Sequence, residues 1–145
     1  MSVDLLGIEI NNYTFEESIN KGFELMSRNS VSQVVTINPE MFSTAEKDSE
    51  FKKILDSAEM VIPDGVGVKL GLKLKGYNVQ RIPGIDFAFG MLTKTAENNI
   101  PVAIVGSKQE VIEKAVDSLK NKLPNLNVAY YHRSEERRVG KECRS

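Results

Sequence analysis

The chain has 145 residues, of which 41% are hydrophobic and 27% charged, a composition typical of one globular domain with an apolar core. Its formal net charge is −1, so the chain lacks the excess of basic residues that is typical of proteins that bind nucleic acid through a basic surface. No apolar run approaches the roughly 20 residues that span a bilayer, and the N-terminus lacks the layout of a signal peptide. We therefore expect a cytoplasmic protein.

The first half of the chain alternates strands with helices. Residues 3–10 predict one strand, and Thr14 with Glu17 fits a capping box at the start of a helix. Residues 32–38 predict a buried parallel strand, since this run is too apolar for a half-exposed edge. A helical stretch follows to about residue 58, and we expect it to break near residues 47–49.

A second strand-to-helix unit covers the middle of the chain. Residues 60–63 predict a central strand, followed by a helix over residues 66–75. The spacing of Val66, Leu70 and Leu74 predicts that these three side chains form the inner face of that helix. Gly76 is a plausible cap beyond its end.

The remaining elements complete the pattern. Residues 79–86 predict a loop that leads into another helix, and residues 101–106 are the clearest buried strand of the chain. Ser107 or Lys108 begins a further helix, and residues 126–131 predict the last strand. This alternation predicts an α/β protein with a Rossmann-like, mostly parallel sheet and helices on both faces.

Two predicted strands end in polar residues. Asn38 follows one strand and Asp64 follows the other, and open α/β sheets bind ligands at the carboxyl ends of their strands. We therefore expect both side chains to lie in one polar pocket, with Asp64 as the candidate reacting group. Asp64-Gly65 could equally be a plain turn, and Asn38-Pro39 commonly initiates one.

Four segments occur in the order and spacing of a known family: Thr36-Ile37-Asn38-Pro39-Glu40, Pro63-Asp64-Gly65-Val66-Gly67, Arg81-Ile82-Pro83-Gly84-Ile85-Asp86 and the strand-to-helix junction at Val105-Gly106. Over residues 3–132 the chain resembles the WecG/TagA/CpsF glycosyltransferases. The resemblance implies inverting transfer of an N-acetylmannosamine-type sugar from a UDP donor to an undecaprenyl-diphosphate-linked acceptor. Such a reaction belongs to teichoic acid or surface polysaccharide synthesis. The implied protein is peripheral to the inner face of the membrane, and a homo-oligomer is left open.

The resemblance also implies roles for individual residues. Asp64 matches the family's proposed base, and Thr36 and Asn38 match pocket residues that orient the donor sugar. Arg81 is the expected phosphate partner, because its planar fork satisfies two oxygens at once. The remaining substrate-binding candidates are Gly65, Gly84, Asp86 and Gly106. As an isolated cation, Arg81 could instead be a surface charge or the partner of Asp86.

Other classes of function remain open at this point. A dinucleotide-binding oxidoreductase domain would need G-x-G-x-x-G after a strand, and that motif is absent from the sequence. A non-catalytic nucleotide-binding α/β domain is the alternative to the transferase. The sequence contains no D-x-D, so we expect transfer without a metal ion, and no cofactor is implied.

Residues 133–145 differ from everything before them. Eight of these thirteen residues are charged, and over its whole length the segment resembles the translation of a common sequencing-library adaptor. We interpret it as an artefactual, disordered tail, which leaves residues 1–132 as the N-terminal part of a glycosyltransferase domain. Family members are longer, so we expect a sheet truncated on its C-terminal side and an inactive fragment.

Removing this segment changes the charge balance of the chain. Five of the 19 basic and three of the 20 acidic residues lie in it, so residues 1–132 carry 14 basic and 17 acidic groups. Their net charge is −3, which again disfavours nucleic acid as a partner. The single cysteine, Cys143, also lies in the segment, so residues 1–132 contain no thiol for catalysis or metal binding.

Overall fold

A computed structural model describes residues 2–134. The expected disordered tail therefore lies almost entirely outside the described residues. The described strands are β1 Ser2–Leu5, β2 Ile8–Asn11, β3 Val34–Ile37, β4 Met60–Pro63, β5 Val102–Val105 and β6 Val128–His132. The described helices are α1 Phe15–Met26, α2 Pro39–Lys47, α3 Ser49–Asp56, α4 Val66–Leu74, α5 Gly84–Glu97 and α6 Gln109–Lys122. None of these helices is long and apolar enough to cross a membrane.

The described residues divide into two compact units, the first ending at Met91 and the second beginning at Leu92. In the first unit, β1 and β2 form an antiparallel hairpin, and β3 and β4 form a parallel pair. In the second unit, β5 and β6 form another parallel pair. These parallel strands, alternating with helices, confirm the predicted α/β class.

The β3–β4 pair is buried from both sides. Val35, Ile37 and Val61 point into one apolar cluster, which also contains side chains of the β1–β2 hairpin, α3 and α4. Met60 and Ile62 point into a second cluster, with side chains of α1 and α5. A strand that faces two cores needs apolar residues at successive positions, which explains the Met-Val-Ile-Pro run of β4.

Several helix boundaries follow local chemistry. The capping box of α1 is confirmed, because Thr14 Oγ1 accepts from Glu17 N and Glu17 Oε2 accepts from Thr14 N. The expected break after α2 is also confirmed: Asp48 ends that helix and caps α3 by accepting from Glu50 N and Phe51 N. Gly76 follows α4 with a φ of +88°, as expected of a residue beyond a helix end.

The prediction of one strand over residues 3–10 is wrong. The chain turns at Leu6-Gly7, where the φ angles are 54° and 76°, and Leu5 pairs with Ile8 across the turn. Two successive positive φ angles define a tight turn that matches the twist of a hairpin. Leu-Gly is not a usual turn dipeptide, so the apolar pattern concealed the turn.

The predicted inner face of α4 is also wrong. Val66, Leu70 and Leu74 are 66%, 56% and 82% exposed, whereas Val68 and Leu72 are buried. The helix carries apolar residues on both sides, so periodicity alone did not select the buried one. The buried side is the one on which glycines let the helix pack closely against its neighbours. A Cβ at Gly67 would lie 3.0 Å from Pro39 Cγ, and one at Gly71 would lie 3.4 Å from Leu5.

The strand predicted at residues 101–106 is present as β5, Val102–Val105, but it is not the most buried strand. β5 alternates between half-buried and exposed positions, and Val105 is 65% exposed. Within residues 2–134, β5 is hydrogen-bonded to β6 alone, and the second unit buries few large side chains, among them Ile112, Val116 and Leu126. An apolar run therefore indicated a strand correctly but overestimated how much of it is covered.

Candidate functional site

The carboxyl ends of β3 and β4 lie side by side. Ile37 pairs with Pro63 in the parallel register, so Asn38 and Asp64 leave the same edge of the pair. The Asp64 N–H donates to the Ile37 carbonyl oxygen over 3.0 Å. This hydrogen bond extends the ladder by one residue and fixes where the Asp64 side chain begins.

Arg81 reaches this edge through the segment that precedes α5. The Ile82 N–H donates to the Pro63 carbonyl oxygen over 2.8 Å, which brings residues 81–82 beside the end of β4. The Arg81 Nε donates to the backbone carbonyl oxygen of Asp64, and its Nη2 lies 3.8 Å from Asp64 Oδ1. Within residues 2–134, the ion pair of Arg81 is thus with Asp64 and not with Asp86.

The Asp64–Arg81 pair is open to solvent. The two side chains are 32% and 42% exposed, respectively. An ion pair at this exposure contributes about 0–1 kcal/mol to folding, so stability alone gives little reason for it. Both groups can be reached by a ligand, and together they offer a proton acceptor and a fixed cation.

Thr36 and Gly84 meet at the same edge. A Cβ at Gly84 would lie 2.9 Å from Thr36 Oγ1 and 3.1 Å from its Cβ, closer than ordinary packing allows. The start of α5 therefore approaches β3 because residue 84 has no side chain. This contact places the Thr36 side chain at the base of the segment that carries Arg81.

Asn38 has a clear structural role. Its Oδ1 accepts from Met41 N over 3.1 Å, and it is the N-cap of α2, with Pro39 in the first turn. Pro39 in turn packs on the turn after Asp64: a Cβ at Gly65 would lie 2.6 Å from Pro39 Cδ. The two predicted site segments are thus locked together by a proline and a glycine.

The helix after Asp64 was predicted from the sequence, but its first backbone N–H groups were given no role in the site. Gly65 is its N-cap and makes no side-chain capping hydrogen bond. The first backbone N–H groups of a helix lack intrahelical partners, and an anion can accept from them. They begin two residues after Asp64, and the only signal for them in the sequence is a glycine at the capping position.

The remaining predicted site residues are Asp86 and Gly106. Asp86 is exposed in the first turn of α5. Gly106 belongs to the second unit, where its φ is +153° and its N–H donates to the His132 carbonyl oxygen over 3.0 Å. Because that N–H is already bonded, a phosphate at this turn would have to use the first-turn N–H groups of α6 instead.

The three cavities best defined in the first unit have other linings. Cavities of 310, 430 and 470 Å³ are lined by residues that do not include Thr36, Asn38, Asp64 or Arg81. The 470 Å³ cleft is bordered by Gln80, the residue before Arg81, and the 430 Å³ cavity by Val61 of β4. The predicted polar pocket is therefore an open edge in this structure, and we assign the site by its chemistry rather than by its concavity.

An α/β unit that presents a carboxylate and a guanidinium at the carboxyl ends of parallel strands has the design of a ligand-binding Rossmann-like domain. Comparison with known proteins makes the class specific. The profile of the glycosyl transferase WecG/TagA/CpsF family matches residues 3–142, and the chain belongs to this family. That match extends past His132, and the domain boundary expected there stays a prediction.

Curated relatives carry a more detailed name. An N-acetylglucosaminyldiphosphoundecaprenol N-acetyl-beta-D-mannosaminyltransferase of Staphylococcus aureus strain NCTC 8325 is 32% identical over 134 residues, which are 90% of this chain and 52% of the relative. The protein of the same name from strain MRSA252 is 32% identical over the same extent. The chain thus spans about half the length of the curated relatives that it matches.

Proposed function

We propose that this chain carries the catalytic base of an inverting glycosyltransferase. The enzyme would move an N-acetylmannosamine-type sugar from a UDP donor to an undecaprenyl-diphosphate-linked acceptor in teichoic acid or surface polysaccharide synthesis. The observation that carries the proposal is the partly exposed Asp64 carboxylate directly after β4, with the Arg81 guanidinium 3.8 Å away. Family membership and the names of the relatives support the class of reaction and of acceptor.

Asp64 would act on the acceptor. In an inverting transfer, an acceptor hydroxyl oxygen forms a bond to the anomeric carbon while the bond from that carbon to the diphosphate oxygen breaks. The hydroxyl proton passes to the Asp64 carboxylate, and the electron pair of the broken bond leaves with UDP. A positioned base of this kind typically contributes about 10²–10⁴-fold to the rate.

Arg81 would act on the leaving group. UDP gains negative charge as it departs, and a guanidinium that is held in place before the reaction stabilises that charge without reorganising. Two interactions with residue 64 hold Arg81: Nε with the backbone oxygen and Nη2 with the carboxylate.

Thr36 and Asn38 would orient the donor sugar, with Gly65 and Gly84 allowing close approach of the backbone. A Cβ at Gly65 would lie 2.6 Å from Pro39 Cδ, and one at Gly84 would lie 2.9 Å from Thr36 Oγ1, so neither position has room for a side chain. The absence of a D-x-D motif from the sequence favours Arg81 over a motif-bound metal ion as the diphosphate partner. An acceptor embedded in lipid would place the enzyme at the membrane surface.

Ligand binding to the 145-residue chain tests the proposal. A donor-binding chain should melt at a higher temperature with UDP or UDP-N-acetylmannosamine, because ligand at about 100 times Kd adds roughly 2.7 kcal/mol of stability. NAD is the matched control and should leave the melting temperature unchanged. A response to NAD with none to the uridine ligands would overturn the proposal.

Turnover separates the transferase from a nucleotide-binding domain without catalysis. We expect the 145-residue chain to be inactive alone. Turnover is therefore measured with a longer chain that is continued to the length of the Staphylococcus aureus relatives. Release of UDP that depends on an undecaprenyl-diphosphate-linked acceptor is the expected result. Binding of UDP with no acceptor-dependent release would identify a binding domain instead.

A further inference from the structure

Helix α4 carries an apolar stripe on its exposed side. Val66, Leu70 and Leu74 are spaced by four residues, so they lie along one side of the helix, and each is more than half exposed. The helix does not need them for its own packing, since Val68 and Leu72 fill that role. Three large apolar side chains in a row on one short helix are more than the scattered exposure of an ordinary surface.

Two lysines border the stripe. Lys69 and Lys73 lie three and seven residues after Val66, which places them in the neighbouring row of the helix. Lys75 pairs with Asp4 over 3.0 Å, but Lys69 and Lys73 form no ion pair within residues 2–134. Lys69 also borders the polar cleft near Glu17. The stripe thus combines apolar contact with positive charge along one edge.

The stripe begins at the candidate site. Val66 is two residues after Asp64 and opens the helix whose N-cap is Gly65. Ile85, which is 77% exposed, adjoins Gly84, the residue packed against Thr36. Exposed apolar side chains therefore flank two of the segments that form the polar edge.

We infer that the exposed side of α4 docks on an anionic lipid surface. Apolar side chains enter the boundary between headgroups and acyl chains, and lysines beside them attract anionic headgroups. A protein partner fits less well, since lysine is depleted from protein interfaces. The inference rests on the proposed function, because docking there would present Asp64 to an acceptor held in the bilayer.

Vesicle sedimentation with the 145-residue chain tests the inference. We expect binding to vesicles of phosphatidylglycerol mixed with phosphatidylcholine, and weaker binding to phosphatidylcholine alone. Raising the salt to about 0.5 M should reduce binding, because screening shortens the reach of surface charge to a few ångströms. No binding to the mixed vesicles would overturn the inference.

Paired substitutions locate the surface. Leu70→Gln with Leu74→Gln should weaken binding about tenfold or more, since glutamine keeps helix propensity but removes apolar contact. Lys69→Gln with Lys73→Gln should weaken binding to the anionic vesicles only. Ile54→Gln is the matched control, because Ile54 is 49% exposed on α3. Far-UV circular dichroism confirms that each variant folds.

Two further outcomes would overturn the inference. Equal vesicle binding by the parent chain and the Leu70/Leu74 variant would place the lipid contact elsewhere. A dimer that light scattering detects and that the same variant abolishes would assign the face to a second copy. Donor binding is measured separately by the shift in melting temperature with UDP, so a failed lipid contact and a failed enzyme assignment give different results.

Discussion

The chain contains two parallel strand pairs that look alike in sequence and differ in structure. β4 reads Met-Val-Ile-Pro and β5 reads Val-Ala-Ile-Val, and each leads through a glycine into a helix. All four residues of β4 are buried, whereas β5 alternates between half-buried and exposed. The difference teaches that an apolar run identifies a strand, and that the elements around it decide its burial.

The two strand ends differ in chemistry as well. β4 is followed by Asp64, whose N–H donates to the Ile37 carbonyl oxygen and whose own carbonyl oxygen accepts from Arg81 Nε. β5 is followed by Gly106, which has a φ of +153° and whose N–H donates to the His132 carbonyl oxygen. One strand end is followed by a carboxylate paired with a guanidinium, and the other is followed by a backbone turn.

The largest expected effect is on Asp64, in a chain continued to the length of the relatives. Asp64→Asn should lower turnover by about two orders of magnitude or more, because an amide cannot accept the acceptor's proton. Binding of UDP should persist, since Arg81 remains. Steady-state turnover and calorimetry with UDP measure the two effects, and Asp56→Asn on α3 is the control. Near-normal turnover would remove Asp64 from the chemistry.

The next prediction compares Gly84, the first residue of α5, with Gly106, which follows β5. Gly84→Ala should destabilise the chain by about 1–3 kcal/mol, because the new Cβ would lie 2.9 Å from Thr36 Oγ1. Thr36→Ala in the same chain should recover part of this loss by removing the atoms in conflict. Unfolding in urea measures both changes.

Gly106→Ala is the counterpart in the second unit. No heavy atom lies within 4 Å of the added Cβ, yet the φ of +153° disfavours any side chain. We expect a loss of stability through backbone strain alone. For Gly84→Ala, by contrast, the expected cause is the close contact between β3 and α5. If Thr36→Ala failed to recover any of the stability lost on Gly84→Ala, that contact would not be the cause of the loss.

Substitution of Arg81 should have a smaller effect than that of Asp64, and it should act on UDP binding. Arg81→Lys should weaken UDP binding about tenfold, because a point charge cannot replace a fork that bonds two oxygens. Arg28→Lys is the matched control, since Arg28 pairs with Glu24 on the surface of α1. Calorimetry with UDP measures both variants. Full retention of affinity by Arg81→Lys would reduce Arg81 to a general surface charge.

Much of this fold was predictable because it depends on local signals. The capping box at Thr14, the break at Asp48 and the glycine after α4 all act within a few residues of the chain. The failures involve choices that distant residues make. Pro39 and Leu5 decided which side of α4 faces inward, and periodicity carried no information about them.

The candidate site shows the same division. The sequence placed Asp64 and Asn38 at neighbouring strand ends, because parallel strands share the orientation of their ends. It left the partner of Arg81 open, and the choice of Asp64 depends on the bond between Ile82 and Pro63, nearly twenty residues apart. The sequence predicted the helix that begins after Gly65, but a glycine N-cap gives no sign that the first N–H groups of that helix lack a capping side chain.

The smallest expected effect concerns the other end of the β3–β4 pair. Glu59 precedes β4, and its Oε2 accepts from the backbone N–H of Gln33, which precedes β3, over 2.6 Å. This hydrogen bond stabilises the charged carboxylate and lowers the pKa of Glu59 below its ordinary value. The folded protein therefore holds this proton less tightly than the unfolded chain does.

The sign of the pH dependence follows from that lowered pKa. The stabilisation by Glu59 is present above the pKa of the unfolded chain and is lost as the pH falls through the lower, folded value. Glu59→Gln should thus lower the melting temperature slightly at pH 7 and leave it nearly unchanged at pH 3. Glu50→Gln on α3 is the control for removing an exposed carboxylate. A constant difference between Glu59→Gln and the parent at both pH values would mean that the charge of Glu59 does not stabilise the start of the strand pair.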